Sequence, residues 1–407
     1  MAGSLMAASR KAPSISSTTI IATVLLAVAL VFLGCLTAYR PPKSAYHALF
    51  LSLADNATAS RHLHALTRRP HVAGTPADSE AAAYVAAAFS SYSLRAHSAP
   101  YEVLLTYPVR RSLTLARSPQ DPPVAFDLVQ EVFPEDPSSR FAGEVMPTFH
   151  GFAKSGTAAG RVVYVNYGRV EDYATLRGMG VEVNGAVVLA RYGKIFRGDI
   201  VSNAQEAGAA AAVLYSDRRD FGGGPGGKAF PEGPWLPASG VQMGTVSHRP
   251  GDPTTPGWAS VRTCERVSLE EVEAGGGLPG IPSLPVSGRD GEEILRSLGG
   301  QVAADDWQGV EGGLVYRVGP GPGFLNLTYE GNQTLVTIQN VFGVIEGEEE
   351  PDRYVLLGNH RDAWTFGAVD PNSGTSALLE IAQRLQKLQK RGWKPRRTII
   401  LCNWDAE

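Results

Sequence analysis

The sequence is poor in cysteine and nearly balanced in charge. Its 407 residues include three cysteines, Cys35, Cys264 and Cys402, and no two of them form a CxxC pair. Zinc knuckles and dithiol redox sites need such a pair, so neither is indicated, and we expect three isolated thiols. Lys and Arg number 37 and Asp and Glu 40, which gives a formal charge of −3. So small an imbalance gives no support for a nucleic-acid partner.

Charge is absent over a long N-terminal stretch. No charged residue occurs between Lys11 and Arg40, and residues 18–39 are strongly apolar. A helix of that length can cross a hydrocarbon core of roughly 30 Å while satisfying its own backbone hydrogen bonds. A cleaved signal peptide has a shorter apolar core of about 7–15 residues. We therefore predict a signal-anchor helix at 18–39, which binds the membrane, after a cytosolic tail at 1–17.

Three N-x-Thr triplets follow the predicted span, at Asn56, Asn326 and Asn332. Such triplets are glycosylation acceptors in secretory compartments. Basic residues flank the span on both sides, so the triplets rather than the charges indicate the orientation. We expect a glycosylated, single-pass type II membrane protein whose body lies in the endoplasmic reticulum lumen or outside the cell.

Short apolar strands alternate with helices in the middle of the chain. GRVVYVNYG, GAVVLARYG and AVLYS read as strands, with helical patterns between them. This alternation predicts an α/β fold with a sheet covered on both faces. A Gly/Pro-rich stretch at 221–257 interrupts the pattern, and we expect it on the surface.

Further elements are predicted on either side of this region. A helix is expected from Tyr46 to about Thr67, and an alanine-rich helix follows Pro76. Near Val336 two strands begin, TIQNVFGVIEG and RYVLLGNH. A helix with an i, i+3, i+4 apolar stripe covers about 373–391, and RRTIILCNW is a buried strand.

Metal-binding side chains follow the strand RYVLLGNH. His360 stands at its carboxyl end, which is the edge where ligands bind in open α/β sheets. His360 offers an imidazole nitrogen to a metal, and Asp362 is placed to hold that ring in one tautomer. Asp370, at a turn before the long helix, is a carboxylate that can bridge two metals.

The last strand ends in a second acidic cluster, Asp405-Ala406-Glu407. If the two strands are neighbours, Glu407 faces the same edge and can act as a general base beside two metals, which suits amide hydrolysis. Each residue alone has a simpler interpretation: Asp370 as a turn or capping residue, and Glu407 as an exposed charge. Only the set of three favours a hydrolase.

The segment YVLLGNHRDAWTFGAVDPNSGTSALLEIAQRLQKLQKRGWKPRRTIILCNWDAE resembles the peptidase segment of the glutamate carboxypeptidase II (NAALADase) family. It is most like the plant, altered-meristem-program branch, and the likeness extends over nearly the whole chain. The resemblance implies a membrane-bound zinc metallocarboxypeptidase that removes C-terminal residues, glutamate among them, from peptides. It also implies a peptidase domain at 45–100 and 336–407, split by a protease-associated domain at 101–335.

The resemblance also implies roles for single residues. His360 would bind one of two zinc ions, Asp370 would bridge both, and Glu407 would be the proton-shuttling base. Arg197 would grip the C-terminal carboxylate of the substrate, a role that suits a bidentate guanidinium. Thr255 and Trp258 match a stretch that contributes to a structural calcium site.

Two departures from the family pattern stand out. This chain has Thr245 where glutamate-selective members have Asn, which keeps a hydroxyl but loses the amide, so Thr245 would alter the pocket for a C-terminal glutamate. The family's later zinc-binding Glu, Asp and His, and its helical dimerisation domain, do not occur here. We therefore expect a truncated chain that is inactive alone, whose complete parent is a homodimer.

Two alternative functions remain at this point. A non-catalytic, receptor-like or regulatory ectodomain of the same fold is one, although the presence of His360, Asp370 and Glu407 disfavours it. An aminopeptidase of the same zinc class is the other, and it is disfavoured by Arg197, a residue suited to a free carboxylate.

Overall fold

The structure, a computed structural model, describes residues 16–38, 43–224 and 226–407. Its α-helices are α1 Ser17–Ala38, α2 Lys43–Ser52, α3 Asn56–Leu66, α4 Pro76–Ser91, α5 Val170–Gly178, α6 Arg197–Glu206, α7 Arg218–Phe221, α8 Leu269–Ala274, α9 Gly288–Arg296 and α10 Asn372–Gln389. Its strands are β1 Arg95–Ala116, β2 Val124–Ala125, β3 His150–Gly151, β4 Gly156–Tyr164, β5 Val187–Arg191, β6 Ala211–Tyr215, β7 Gly244–Thr245, β8 Ser283–Val286, β9 Phe324–Ile345, β10 Glu350–His360 and β11 Arg397–Trp404. The chain thus has the predicted mixture of α-helices and β-strands.

The chain divides into two compact units, Met1–Ala54 with Arg384–Lys394, and Asp55–Gln383 with Pro395–Glu407. In the first unit the guanidinium of Arg384 lies 4.6 Å from the centre of the Phe50 ring. The hydroxyl of Tyr46 donates to the carbonyl of Arg391 over 3.4 Å. All the candidate site residues belong to the second unit.

A long antiparallel ribbon of β1 and β9 organises the second unit. The two strands pair from Arg95 with Val344 to Ala116 with Phe324, with one irregularity near Pro108. One end of β9 also pairs with β11 and the other with β4. A single strand therefore belongs to two groups of strands, and it fixes each relative to the other.

The first group of strands is β4, β5, β6 and β8, which pair in parallel in that order. Every residue of β5 and β6 is buried, so both faces of the sheet are covered, as predicted from their uninterrupted apolar sequence. Helices α5 and α6 connect successive strands of this group.

The second group of strands, β10, β11 and β9, carries the candidate site residues at its edge. Strand β10 lies at the edge of the described sheet and runs parallel to β11, which pairs antiparallel with β9. Helix α10 connects β10 to β11. Parallel strands end at the same edge, so His360 at the end of β10 is paired with Trp404 at the end of β11.

The sequence-based elements were wrong at two places. The helix expected from Tyr46 to Thr67 is two helices, because the carboxylate of Asp55 caps α3 by accepting from the backbone N–H groups of Ala57 and Thr58. The stretch 221–257 is not wholly on the surface, since Met243 and Val246 are buried in the core.

Several N-terminal and modification predictions stay open. Residues 1–15 of the predicted tail and residue 39 of the predicted anchor lie outside the described residues. Among the residues that are described, no helix has the length and apolarity needed to cross a membrane, and the signal-anchor is not confirmed. Asn56, Asn326 and Asn332 are exposed, so their glycosylation stays a prediction.

Two further expectations can be compared with the structure. Cys264 and Cys402 are free thiols, as predicted, while the side chain of Cys35 lies outside the described part. The predicted domain boundaries after residues 100 and 335 fall inside β1 and β9, where Pro100 pairs with Gln339. The domain division itself stays a prediction.

The buried His150 makes the fold sensitive to acid. Its ring nitrogens contact the Ser283 hydroxyl at 2.9 Å and the Tyr192 hydroxyl at 2.7 Å. Burial, helped by the charge of Arg197, lowers the pKa of His150 to about 3. The unfolded chain binds this proton near pH 6.5, so the stability that neutral His150 contributes is present above pH 6.5 and is lost as the pH falls towards 3.

We predict that His150→Gln removes this dependence. Between pH 7 and pH 5 the free energy of unfolding of the wild type should fall by about 2 kcal/mol more than that of the variant. Urea unfolding at both pH values measures the difference, with exposed His64→Gln as the control. Parallel pH profiles for wild type and His150→Gln would contradict it.

Candidate metal and substrate site

The end of β10 brings three predicted residues together. His360 Nδ1 lies 3.2 Å from Oδ1 of Asp362, and His360 Nε2 lies 3.2 Å from Oδ1 of Asp370. Asp362 is buried, whereas 84% of the Asp370 side chain is exposed. The ring is thus held on one side by a buried carboxylate and faces an exposed carboxylate on the other.

The end of β11 approaches the same place. The backbone N–H of Glu407 donates to Oδ1 of Asp362 over 3.3 Å, so one carboxylate oxygen contacts both the ring of His360 and the chain at Glu407. Ala406 has φ 61°, the left-handed region that residues with a Cβ rarely adopt. Such strained backbone persists where the surroundings enforce it, often at functional sites.

Opposing effects act on the ring of His360. Burial disfavours the charged imidazolium, but the hydrogen bond and charge of Asp362, with the charges of Glu407 and Asp370, outweigh it and raise the pKa of His360. The surrounding field therefore favours a positive charge at the ring, whether a proton or a metal supplies it.

The donor set fits a partial zinc site. An imidazole whose second nitrogen is held by a carboxylate, with a further carboxylate beside the first nitrogen, is a common zinc arrangement. Among the described residues, no group of three or more His, Cys, Asp or Glu side chains is placed to hold a metal ion. His360 and Asp370 thus supply two donors, and a closed shell needs more.

A buried ionic cluster fixes the ends of both strands. Arg361, whose side chain is fully buried, donates from Nη2 to Oδ2 of Asp405 over 2.6 Å and lies 3.3 Å from Asp78. Burial and the neighbouring Asp405 raise the pKa of Asp78 to about 8 despite Arg361. Burial also raises the pKa of Asp405, so these two interacting carboxyl groups together carry less than two full negative charges beside one guanidinium. Sequence reasoning missed this cluster, although the charged Arg361 between two site residues was a signal.

A second polar network connects β10 to the start of α10. The amide of Asn359 donates to the carbonyl of Pro371 and to the hydroxyl of Thr375, each over 3.0 Å. Thr375 donates to the carbonyl of His360 over 2.6 Å, and Asn403 of β11 donates to Thr375 over 3.0 Å. These bonds hold the strand that carries His360 against the turn that carries Asp370.

A cavity of about 540 Å³ adjoins the cluster. Its wall includes Asp362, Glu407 and Trp364 on one side and aromatic residues of the ribbon, such as Tyr101 and Tyr107, on another. His360, Asp370 and Arg197 are not among its lining residues. The carboxylates of Asp362 and Glu407 thus border a partly apolar space that can receive an organic ligand.

The predicted substrate residues Thr245 and Arg197 lie next to each other. Thr245 lines the cavity, and its hydroxyl accepts from the backbone N–H of Ser247 over 3.0 Å. Arg197 begins α6 and its Nη1 is 3.5 Å from the carbonyl of Thr245. Its buried Nε has no hydrogen-bond partner among the described residues, so part of the guanidinium remains available to an acceptor.

The predicted calcium residues make bonds within their own loop. The hydroxyl of Thr255 lies 2.6 Å from that of Ser260, and Trp258 Nε1 donates to the carbonyl of Glu265 over 2.8 Å. The nearby carboxylate of Asp252 is paired with Arg266 at 2.7 Å. The groups here already have protein partners, and the calcium prediction stays without support from the geometry.

Two segments of the chain match known protein families. Residues 150–248 match the PA domain, and residues 340–407 match peptidase family M28. A probable glutamate carboxypeptidase of Arabidopsis thaliana, LAMP1, is 59% identical over 370 residues, 90% of this chain and 52% of that protein. A second from the same plant, AMP1, is 45% identical over 381 residues, 91% of this chain and 51% of that protein.

The likeness extends to a solved structure. A crystal structure of an M28 peptidase precursor from Shewanella amazonensis superimposes with a TM-score of 0.51 at 15% identity, over 89% of this chain and 67% of that one. At this identity the likeness shows the fold alone, an α/β peptidase fold with an inserted PA domain. The chain spans about half the length of the curated relatives it matches.

The buried cluster leads to a stability prediction. Arg361→Met removes the only guanidinium contact of Asp405 found among the described residues and leaves its carboxylate buried, which should lower the free energy of unfolding by about 3–5 kcal/mol. Urea denaturation at pH 7 measures this. Arg353→Met is the control, because 63% of that side chain is exposed and its loss should change little. Equal effects of the two substitutions would contradict the role given to Arg361.

Proposed function

We propose, because this chain belongs to the glutamate carboxypeptidase family of M28 peptidases, that it provides the proton-transfer and zinc-binding side of a peptidase site. The observation that carries the proposal is the contact of one Asp362 oxygen with both His360 and the backbone of Glu407. That contact brings a metal donor and a candidate base to one edge of the sheet.

The chain's residues would divide the work. A bound zinc ion would polarise the scissile carbonyl and make a water molecule more acidic. Glu407 would accept a proton from that water at its carboxylate and pass it to the leaving amine. Asp362 would keep the proton of His360 on Nδ1, so that Nε2 presents its lone pair beside Asp370. Asp370 would hold a second zinc ion as well as the first.

The proposal also states which part of the substrate is recognised, namely a free C-terminal carboxylate. Arg197, with its unpartnered buried Nε, is suited to bind the C-terminal carboxylate of a peptide. This supports a carboxypeptidase over an aminopeptidase. Thr245 borders the cavity with its hydroxyl already used by Ser247, so we propose that selectivity for a C-terminal glutamate is weaker than an asparagine would give.

The remaining parts of the proposal have sequence support. The charge-free segment 18–39 and the three exposed N-x-Thr triplets support a type II membrane protein with a glycosylated body in a secretory compartment. The family likeness supports a homodimeric parent and a structural calcium ion near Thr255 and Trp258. Each of these belongs to the proposed function of the complete protein.

Zinc binding is the first test. His360→Ala should weaken the zinc affinity of the purified chain at least tenfold, because it removes the imidazole donor. Competition with a chromophoric chelator measures the affinity. Exposed His64→Ala on α3 is the matched control and should bind as the wild type does. If His360→Ala bound zinc as tightly as the wild type, His360 would not be a ligand of the bound zinc.

Proton transfer is the second test. In the complete parent protein, Glu407→Gln should retain zinc but lower the rate of peptide hydrolysis by about 10²–10⁴-fold, since the amide cannot accept the proton. The assay uses two substrates. One is an N-acylated dipeptide that ends in a free C-terminal glutamate, and the other is the same dipeptide amidated at its C-terminus. Only the free acid should be cleaved if Arg197 acts as proposed.

Glu349→Gln serves as the control for Glu407→Gln, because Glu349 is an exposed partner of Arg396 at the surface. If the zinc-loaded complete parent cleaved neither peptide, the non-catalytic ectodomain would be favoured instead. Cleavage from the amino end, detected by end-group analysis, would favour the aminopeptidase.

A further inference from the structure

His71 is a buried histidine outside the predicted site that contacts both of its loops. Only 2% of its surface is exposed. Its Nδ1 lies 2.8 Å from the carbonyl of Arg69, close in sequence. Its Nε2 lies 2.9 Å from the carbonyl of Arg361 and 3.0 Å from Nδ2 of Asn372, about three hundred positions along the chain.

The two distant contacts reach the two loops that present metal donors. The carbonyl of Arg361 belongs to the peptide unit that joins Arg361 to Asp362, one position after His360. Asn372 begins α10, two positions after Asp370. Nε2 can either donate to the carbonyl of Arg361 or accept from Nδ2 of Asn372, but it cannot do both at once. The backbone carbonyl of His71 accepts from the N–H of Ala363 over 3.1 Å. His71 therefore links the two loops through its backbone carbonyl on the side of His360 and through Nε2 on the side of Asp370.

The link can influence the metal site because one of the two donors, Asp370, is weakly constrained. Asp370 is mostly exposed and lies in a turn, so its distance from His360 depends on how its loop is held. The Asn359 and Thr375 network holds the carbonyl side of His360. His71 contacts the next peptide unit. Because its ring is rigid and lies between the two loops, each loop can move less than it could without this contact.

We propose that His71 is a positioning residue whose Nε2 sets the separation of His360 and Asp370 and thereby the zinc affinity of the site. The inference rests on the proposed function, because it presumes that these two residues bind zinc. Contacts around bound metals that orient the ligands in this way typically change affinity by about 10–100-fold when they are removed.

Two conservative substitutions distinguish the contacts of Nε2 with the two loops from the contact of Nδ1 with the carbonyl of Arg69. In His71→Gln the side-chain amide reaches the position of Nε2, so it can donate to the carbonyl of Arg361 or accept from Asn372. In His71→Asn the shorter amide reaches only the position of Nδ1 and keeps the contact with the carbonyl of Arg69. Both variants place a neutral polar group in the same buried space.

The expected result is a split between the two variants. His71→Asn should weaken zinc binding by roughly 10–100-fold, and His71→Gln should remain within a few-fold of the wild type. Chelator competition measures affinity, and the visible spectrum of the cobalt-substituted chain reports the ligand geometry. The spectrum should change in His71→Asn and be retained in His71→Gln.

His62→Asn controls for lost stability, because His62 is also buried and its nitrogens contact the hydroxyls of Tyr84 and Tyr92, each at 2.8 Å. It should lower the unfolding midpoint without changing zinc affinity. Equal zinc affinity in His71→Asn and wild type, or equal losses in both His71 variants, would overturn the positioning role.

Failure of the proposed function gives a different result. If the wild-type chain binds no zinc, the metal-site proposal is wrong, and the ring resonances of His360 in the zinc-free chain then decide the role of His71. A change of these resonances in His71→Asn but not in His71→Gln would support the link. Unchanged resonances in both variants would refute it.

Discussion

The ion pair of Arg361 with Asp405 is the interaction on which the rest of the site depends. Both side chains are buried, and removing two charges from water is costly unless they meet with good geometry. The pair joins the residue after His360 to the second residue before Glu407, so it holds the ends of β10 and β11 together. Asp78, whose pKa is raised by burial, lies 3.3 Å from Arg361 and extends the attachment to the start of α4.

The ribbon of β1 and β9 supplies the second constraint. Because β9 pairs with β11 at one end and with β4 at the other, the sheet edge that carries His360 and Glu407 and the PA domain are parts of one hydrogen-bonded framework. The cavity next to Glu407 is formed by this arrangement, since its walls come from the ribbon, from the end of β10 and from the loop that carries Thr245. A peptide bound there would contact both domains.

The candidate site was only partly predictable from the sequence. The proximity of His360, Asp362 and Glu407 was predicted because parallel neighbouring strands end at one edge of a sheet, and the structure confirms it. The proximity of Asp370 to His360 was predicted too. The sequence analysis missed the roles of Arg361, Asp78 and His71. The residues around a buried charged or polar side chain do not indicate a partner that lies hundreds of positions away in the sequence.

The sequence by itself determined the α/β class, the alternation of strands and helices between 160 and 215, and the strand ends next to which His360 and Glu407 lie. These follow from apolar periodicity and turn residues, which act over a few positions. Only the tertiary structure decided that β1 and β9 form one ribbon and that His71 contacts the loops after His360 and around Asp370. Such features depend on which distant groups meet when the chain closes, and a buried polar group must find its partner there or lose stability.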